Sequence, residues 1–198
     1  MSFRIEEKLY VKKENLFTFK NFLSKKKLTK TFPSRKIEST YFDNINFEMY
    51  QDSIEGIVPR KKIRIRKYPE TKDNFYYLEK KLSSVEGRFK TRKIITLEDS
   101  NKNFRYGILD NQYGICLPKI KVQYFRDYFV FSDVRVSIDT NIFYQNINTN
   151  LIIRDERIIV ELKTNINKDI DKLYEDFPFQ RTRFSKYCYA IETMKRTI

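Results

Sequence analysis

The sequence predicts an α+β fold: an eight-stranded antiparallel β-barrel with flanking helices. Three observations carry this. Eight segments alternate polar and apolar residues with period two, about four others place apolar residues at helical spacing, and the polar sides of the strands are dominated by Arg and Lys. With only 4 Gly and 5 Pro in 198 residues, the elements must be long and joined by polar turns.

In chain order, strands are expected at 3–11, 37–43, 57–68, 75–83, 88–97, 120–131, 133–140 and 157–165. A helix over 14–27 puts Leu16, Phe19, Phe22 and Leu23 on one stripe, and a short one covers 46–53. Late in the chain, 169–176 carries Ile170, Leu173 and Phe177, and 185–195 forms a final helix with Ser185 as its N-cap. Polar turns are read at 69–74, 83–87 and 99–103. No linker, internal repeat or composition break divides the chain, so a single domain over 1–198 is expected.

Bulk chemistry narrows the function classes. Forty basic residues against 26 acidic ones leave a net charge of +14, which calls for an anionic partner, and composition alone favours nucleic acid. The 17 Phe and 14 Tyr argue against disorder. There is no histidine, so imidazole serves neither as base nor as ligand. A metal must then be held by carboxylates and phosphate oxygens, which means Mg²⁺ or Mn²⁺ rather than Zn²⁺. Cys116 and Cys188 form no CxxC unit and read as reduced, buried hydrophobes. No apolar run approaches the ~20 residues of a transmembrane segment, and no signal-peptide core is present, so a cytoplasmic location is expected.

The alternation itself is informative. Arg60, Lys62, Arg64 and Arg66 share one strand face, while Ile63 and Ile65 lie on the other. Glu79 and Lys81 share a face, as do Arg88, Lys90 and Arg92, and as do Glu161 and Lys163. Val134, Val136 and Ile138 alternate with Asp133, Arg135, Ser137 and Asp139. For one strand, this is an ordinary half-wet sheet. Five strands with the same basic bias suggest faces that converge, on closure, into a basic lumen filled by a linear polyanion.

These segments, in this order, resemble the vacuolar transporter chaperone (VTC) domain, of the triphosphate tunnel metalloenzyme superfamily that also includes the CYTH proteins. The matching runs are RIEEK from Arg4 to Lys8, STYFDN from Ser39 to Asn44, KIRIRKY from Lys62 to Tyr68 and YLEKK from Tyr77 to Lys81. They continue with RFKTRK from Arg88, YFR ending at Arg126, VRVSID from Val134 to Asp139, VELK from Val160 to Lys163 and RFSKY from Arg183 to Tyr187. Each is weak alone, but nine in order are not, and they span nearly the whole chain.

The resemblance implies an eight-stranded tunnel that binds ATP, inorganic polyphosphate or tripolyphosphate with Mn²⁺ or Mg²⁺, and a polymerase that transfers the γ-phosphate of ATP to a growing chain. Carried onto matching positions, Lys8, Arg64, Arg66, Lys81, Arg126, Arg135 and Lys186 would act on the reacting phosphates. Lys62, Lys90, Tyr124, Arg183 and Ser185 would bind phosphate, and Glu161 would hold the metal, with Glu6 and Glu79 either joining it or holding arginines in place. Arg4 stands where many tunnel enzymes have the first acid of ExExK, which removes one carboxylate from the metal set. Hydrolysis of tripolyphosphate or nucleoside triphosphates, and a non-catalytic polyphosphate-binding module, are the alternatives. Enclosed basic residues disfavour nucleic acid as partner. Export of a polymer would need a separate membrane partner, and nothing in the sequence sets an oligomeric state.

Overall fold

The computed structural model describes residues 4–71, 75–165 and 169–196. Alternating segments become strands: β1 (Arg4–Val11), β2 (Thr29–Asp43), β3 (Arg60–Lys67), β4 (Tyr76–Ser84), β5 (Gly87–Ile95), β6 (Ile108–Asp110), β7 (Gly114–Phe131), β8 (Val134–Asn146), β9 (Ile152–Asp155) and β10 (Ile158–Asn165). The helices are α1 (Leu16–Lys25), α2 (Glu48–Glu55), α3 (Leu97–Tyr106), α4 (Ile170–Asp176) and α5 (Lys186–Lys195). Hydrogen bonding orders the strands β1-β10-β8-β7-β2-β3-β4-β5, with β6 added to β7 and β9 to β8. The α+β class and the antiparallel sheet agree with the sequence, and the ordered path has the expected eight strands. Among the described residues this path runs from β1 to β5 without a pairing that closes it. Among the described residues no helix is long and apolar enough to cross a membrane.

Two compact units divide the chain. The first comprises Met1–Arg35, Tyr124–Ile142 and Arg154–Phe184, and the second Lys36–Gln123, Phe143–Ile153 and Ser185–Ile198. In the first, Leu9 and Val11 of β1, Val134, Val136 and Ile138 of β8, and Ile158, Val160 and Leu162 of β10 form one apolar face. Phe19 of α1, Leu173 of α4 and Phe177 cover it, each such buried side chain contributing about 1.5–3 kcal/mol. Edge-to-face contacts of Phe179 with Phe19 (5.1 Å) and Phe22 (5.0 Å) join α1 to the segment after α4. That segment also covers the free edge of β1: Tyr10 N–H donates to the Gln180 carbonyl and Thr182 N–H to that of Lys8.

In the second unit, Ile63 and Ile65 of β3 and Phe42 of β2 pack under Met49 of α2, with Phe104 of α3 against the same cluster. Ser185 caps α5 as the sequence indicates, accepting from Cys188 N–H. The 99–103 stretch is not a turn but the middle of α3. Thr96 caps this helix by accepting from Asp99 N–H, and Glu98 and Asp99 sit in its first turn, where acids suit the helix dipole. The turn expected at 69–74 falls partly on 72–74, outside the described residues.

Tyr41, Phe42 and Asp43, at the end of β2, are all buried. Buried Asp43 accepts from the backbone N–H groups of Asn44, Met49 and Tyr50 and from the Tyr187 hydroxyl. It thereby satisfies two donors at the start of α2, which the left-handed Phe47 (φ 59°) would otherwise leave open. Burial pushes the Asp43 carboxyl above its ordinary range, outweighing these four donors. Asp43→Ala strands those buried donors and is expected to cost about 2–4 kcal/mol, measured by urea unfolding at neutral pH.

Candidate functional site

Strand alternation that sends Ile63 and Ile65 to the core sends Lys62, Arg64 and Arg66 to the opposite side. Register then fixes their neighbours. One transverse row reads Tyr41, Arg64, Glu79 and Arg92 across β2, β3, β4 and β5. The next reads Ser39, Arg66 and Tyr77, and on the other side Lys62, Lys81 and Lys90 stand directly opposite one another. With Arg60 and Arg88 included, this face of β3, β4 and β5 sets eight cations (Arg60, Lys62, Arg64, Arg66, Lys81, Arg88, Lys90, Arg92) against one carboxylate, Glu79.

Glu79 is fully buried and wholly engaged. Its Oε2 receives Arg64 Nε at 2.7 Å and Nη2 at 2.6 Å, with Arg66 Nη1 at 3.9 Å. Its Oε1 receives Lys90 Nζ at 2.5 Å, with Arg92 Nε at 3.7 Å. Burial raises the Glu79 carboxyl, but the charges of Arg64, Arg66 and Lys90 overcome this and hold it well below the usual carboxylate range. Of the two roles expected of Glu79, the geometry matches holding cations: both oxygens are already occupied.

The surrounding groups orient this cluster. The Tyr41 hydroxyl accepts from Arg64 Nη1 at 2.8 Å, and its ring stacks on Tyr187 at 5.2 Å. Burial raises the Tyr41 hydroxyl, yet Arg64 and Arg66 leave it below its ordinary value. Ser39 accepts from Arg66 Nε at 3.0 Å, and Lys62 Nζ donates to the Ser185 hydroxyl at 3.0 Å. Lys186 lies close enough to act electrostatically on Tyr41. Arg92 lies over the Tyr77 ring at 3.7 Å. Burial pulls the Lys90 ammonium below its ordinary value despite Glu79.

The polar face of the first unit is built differently. Lys8 stands opposite Glu161 and Glu161 opposite Ser137, while Glu6 stands opposite Lys163 and Lys163 opposite Arg135. Arg126 forks onto Asp139, Nε to Oδ1 at 2.5 Å and Nη2 to Oδ2 at 2.7 Å, and its Nη2 lies 3.5 Å from Glu161. Lys163 bridges Glu161 (2.9 Å) and Glu6 (3.7 Å). Burial raises the Glu161 carboxyl, but Arg126 and Lys163 hold it well below the carboxylate range. Lys8 Nζ donates to the Phe184 carbonyl at 2.8 Å. Four cations (Lys8, Arg126, Arg135, Lys163) here meet three carboxylates (Glu6, Asp139, Glu161), so this face is nearly balanced. Tyr124 is buried with Arg126 over its ring at 5.3 Å, whereas Arg135 and Arg183 are exposed.

The residues named from sequence thus fall into two groups: Lys62, Arg64, Arg66, Glu79, Lys81, Lys90, Ser185 and Lys186 in the second unit, and Glu6, Lys8, Tyr124, Arg126, Arg135, Glu161 and Arg183 in the first. Asp139, Tyr41 and Arg92 were not among them. Strand parity carried a signal for each, since all share a face with named residues. Among the described residues no group of three or more Asp, Glu or Cys forms a metal cage. Glu6 and Glu161 share Lys163 as an ion-pair partner, and two carboxylates suffice for Mg²⁺ or Mn²⁺ when phosphate supplies the remaining oxygens.

The family model of the VTC domain matches residues 3–113 and 96–195. This chain belongs to the VTC domain family. No curated protein matches it. Among solved structures, a "putative adenylate cyclase" from Bacillus halodurans superposes with TM-score 0.62 at 12% identity, covering 93% of this chain and 95% of that one. A second "putative adenylate cyclase", from Vibrio parahaemolyticus, gives TM-score 0.55 at 14% identity over 96% and 98%. A conserved hypothetical protein from Pyrococcus furiosus gives 0.57 at 15% over 90% and 92%. At these identities the likeness is one of fold.

Glu79→Gln leaves the buried arginines without their charge partner and is expected to cost about 3–5 kcal/mol near pH 7. Because the folded carboxyl lies below the ordinary Glu value of about 4.3, its stabilisation is complete above that pH and is lost as acid protonates it in the folded state. Urea unfolding from about pH 7 down to about pH 3 should therefore fall steeply for the native chain and less steeply for Glu79→Gln.

Proposed function

We propose that this VTC domain is a metal-dependent phosphotransferase that binds ATP and inorganic polyphosphate and extends the polymer, as a polyphosphate polymerase does. The row Lys62, Lys81, Lys90 carries the reading. Like charges directly opposite one another on adjacent strands destabilise a sheet. At about 5 Å and an effective dielectric near 20, each pair costs on the order of 3 kcal/mol unless the side chains splay into water or an anion lies among them. Glu79 takes Lys90 but also faces Arg64, Arg66 and Arg92, so one carboxylate does not balance the cations of this face, and a chain of phosphates is the anion that fits.

In this reading Arg64 and Arg66, with orientations set by Glu79, Tyr41 and Ser39, present donors to phosphate oxygens, while Lys62, Lys81, Lys90 and Lys186 act as adjustable point charges. Ser185 hydrogen-bonds phosphate through the hydroxyl that Lys62 holds. Lys8, Arg126, Arg135, Tyr124 and Arg183 provide phosphate contacts on the first unit. Glu161, assisted by Glu6, would hold Mn²⁺ or Mg²⁺, which supplies charge neutralisation between phosphate oxygens when bound.

Transfer needs little covalent help from the protein. A terminal oxygen of the polyphosphate attacks the γ-phosphorus of ATP, the β–γ bridging P–O bond breaks, and ADP leaves as the chain grows by one phosphate. The protein's part is to align the two phosphates and to meet charge developing on the equatorial oxygens. No histidine is needed, which agrees with a chain that has none.

Incubation with ATP and Mn²⁺ is expected to give long polyphosphate on a gel, together with ADP. ADP with free phosphate and no polymer would instead identify a hydrolase, and no ADP at all a binding module. Glu161→Ala is expected to lower turnover by at least about 100-fold through loss of the metal, while unchanged turnover would exclude its metal role.

A further inference from the structure

Away from the phosphate-facing groups, the first unit displays an aromatic–cation cluster that packing does not explain. Phe32 of β2 is 54% exposed. It meets Tyr128 of β7 edge-on, centroids 5.9 Å apart and planes at 83°. The Arg35 guanidinium lies 5.5 Å from the Phe32 ring and 5.6 Å from that of Tyr128, so one planar cation serves both rings. On the adjacent strand, Asp127 receives the Ser34 hydroxyl and lies 3.6 Å from Lys30 Nζ, tying down the β2 segment that carries Phe32 and Arg35.

The side of the sheet on which this cluster sits follows from β7. Phe129 and Phe131 pack on the apolar core of the unit. Alternation therefore sends Tyr128 to the opposite side, with Tyr124 and Arg126. Tyr128 is two residues beyond Arg126, about 7 Å along the strand. That is on the order of the separation between a nucleobase and its own α-phosphate.

We propose that Phe32, Arg35 and Tyr128 form a nucleobase platform, on which the base of a bound nucleoside triphosphate stacks while its phosphates engage the cations of the same face. The inference rests on the nucleotide reading above and adds to it a means of telling ATP from inorganic polyphosphate. Every base has a π-face, and stacking on an aromatic ring or a guanidinium plane does not require hydrogen-bond readout. Purines, with the larger face, are preferred over pyrimidines. An exposed Phe on an otherwise charged face is then the contact surface left open for the base.

Two variants test this in the full chain. Phe32 is half in water, so Phe32→Ala should fold, and calorimetry with ATP and with tripolyphosphate separates base from phosphate. ATP binding should weaken roughly tenfold, the loss of one base stack, with tripolyphosphate binding unchanged. The chain contains no tryptophan, so Phe32→Trp installs a single indole whose fluorescence ATP should quench and tripolyphosphate should not. Unchanged ATP affinity in Phe32→Ala, equal losses for both ligands, or quenching by tripolyphosphate would overturn the platform and leave the phosphate reading standing. Failure of the native chain to bind either ligand would overturn both.

Discussion

One buried carboxylate conditions the polar side of the second unit. Glu79 has Arg64, Arg66, Lys90 and Arg92 all within 4 Å of its two oxygens. A single negative charge cannot balance four positive ones, yet without it three adjacent strands would bring like charges together with nothing between them. Its effect is to fix the guanidiniums in place while leaving the face strongly positive. Tyr41 and Ser39 extend the same logic by taking one donor each from Arg64 and Arg66. Arginines held this way lose little further freedom when an anion arrives, which favours binding.

The first unit solves a different problem. Its polar face pairs cations and carboxylates in register, Lys8 with Glu161 and Glu6 with Lys163, so it is stable without an external anion. Arg126 is held by Asp139 as Arg64 is held by Glu79. Within it Arg126 and Lys163 hold Glu161 well below the carboxylate range, and Glu6 shares Lys163 with it.

Much of this was legible in the sequence because strands obey a strict two-residue period. Ile63 and Ile65 against Arg64 and Arg66, or Val160 and Leu162 against Glu161 and Lys163, declare their faces without a structure. The α5 cap at Ser185 was equally local. Helix α3 was not legible, since its Glu98–Asn101 stretch has turn composition and only Phe104 marks an inward face; Thr96 and Gly107 were the signals that bound it. The first half of β2 was hidden by polar residues and Pro33, and β6 and β9 are too short to show a period. Partners set by register, such as Tyr41 for Arg64 or Asp139 for Arg126, are separated by 23 and 13 residues and cannot be assigned from spacing alone.

Titration of tripolyphosphate into the native chain and into Lys81→Ala tests the phosphate face most directly. Lys81 is exposed and sits in the centre of the lysine row, so its loss should spare the fold. The native chain should bind tightly, with affinity falling steeply as salt rises, and Lys81→Ala should bind severalfold more weakly with a shallower salt dependence. Absence of binding by the native chain, or equal affinity in the variant, would contradict the assignment of this face to phosphate.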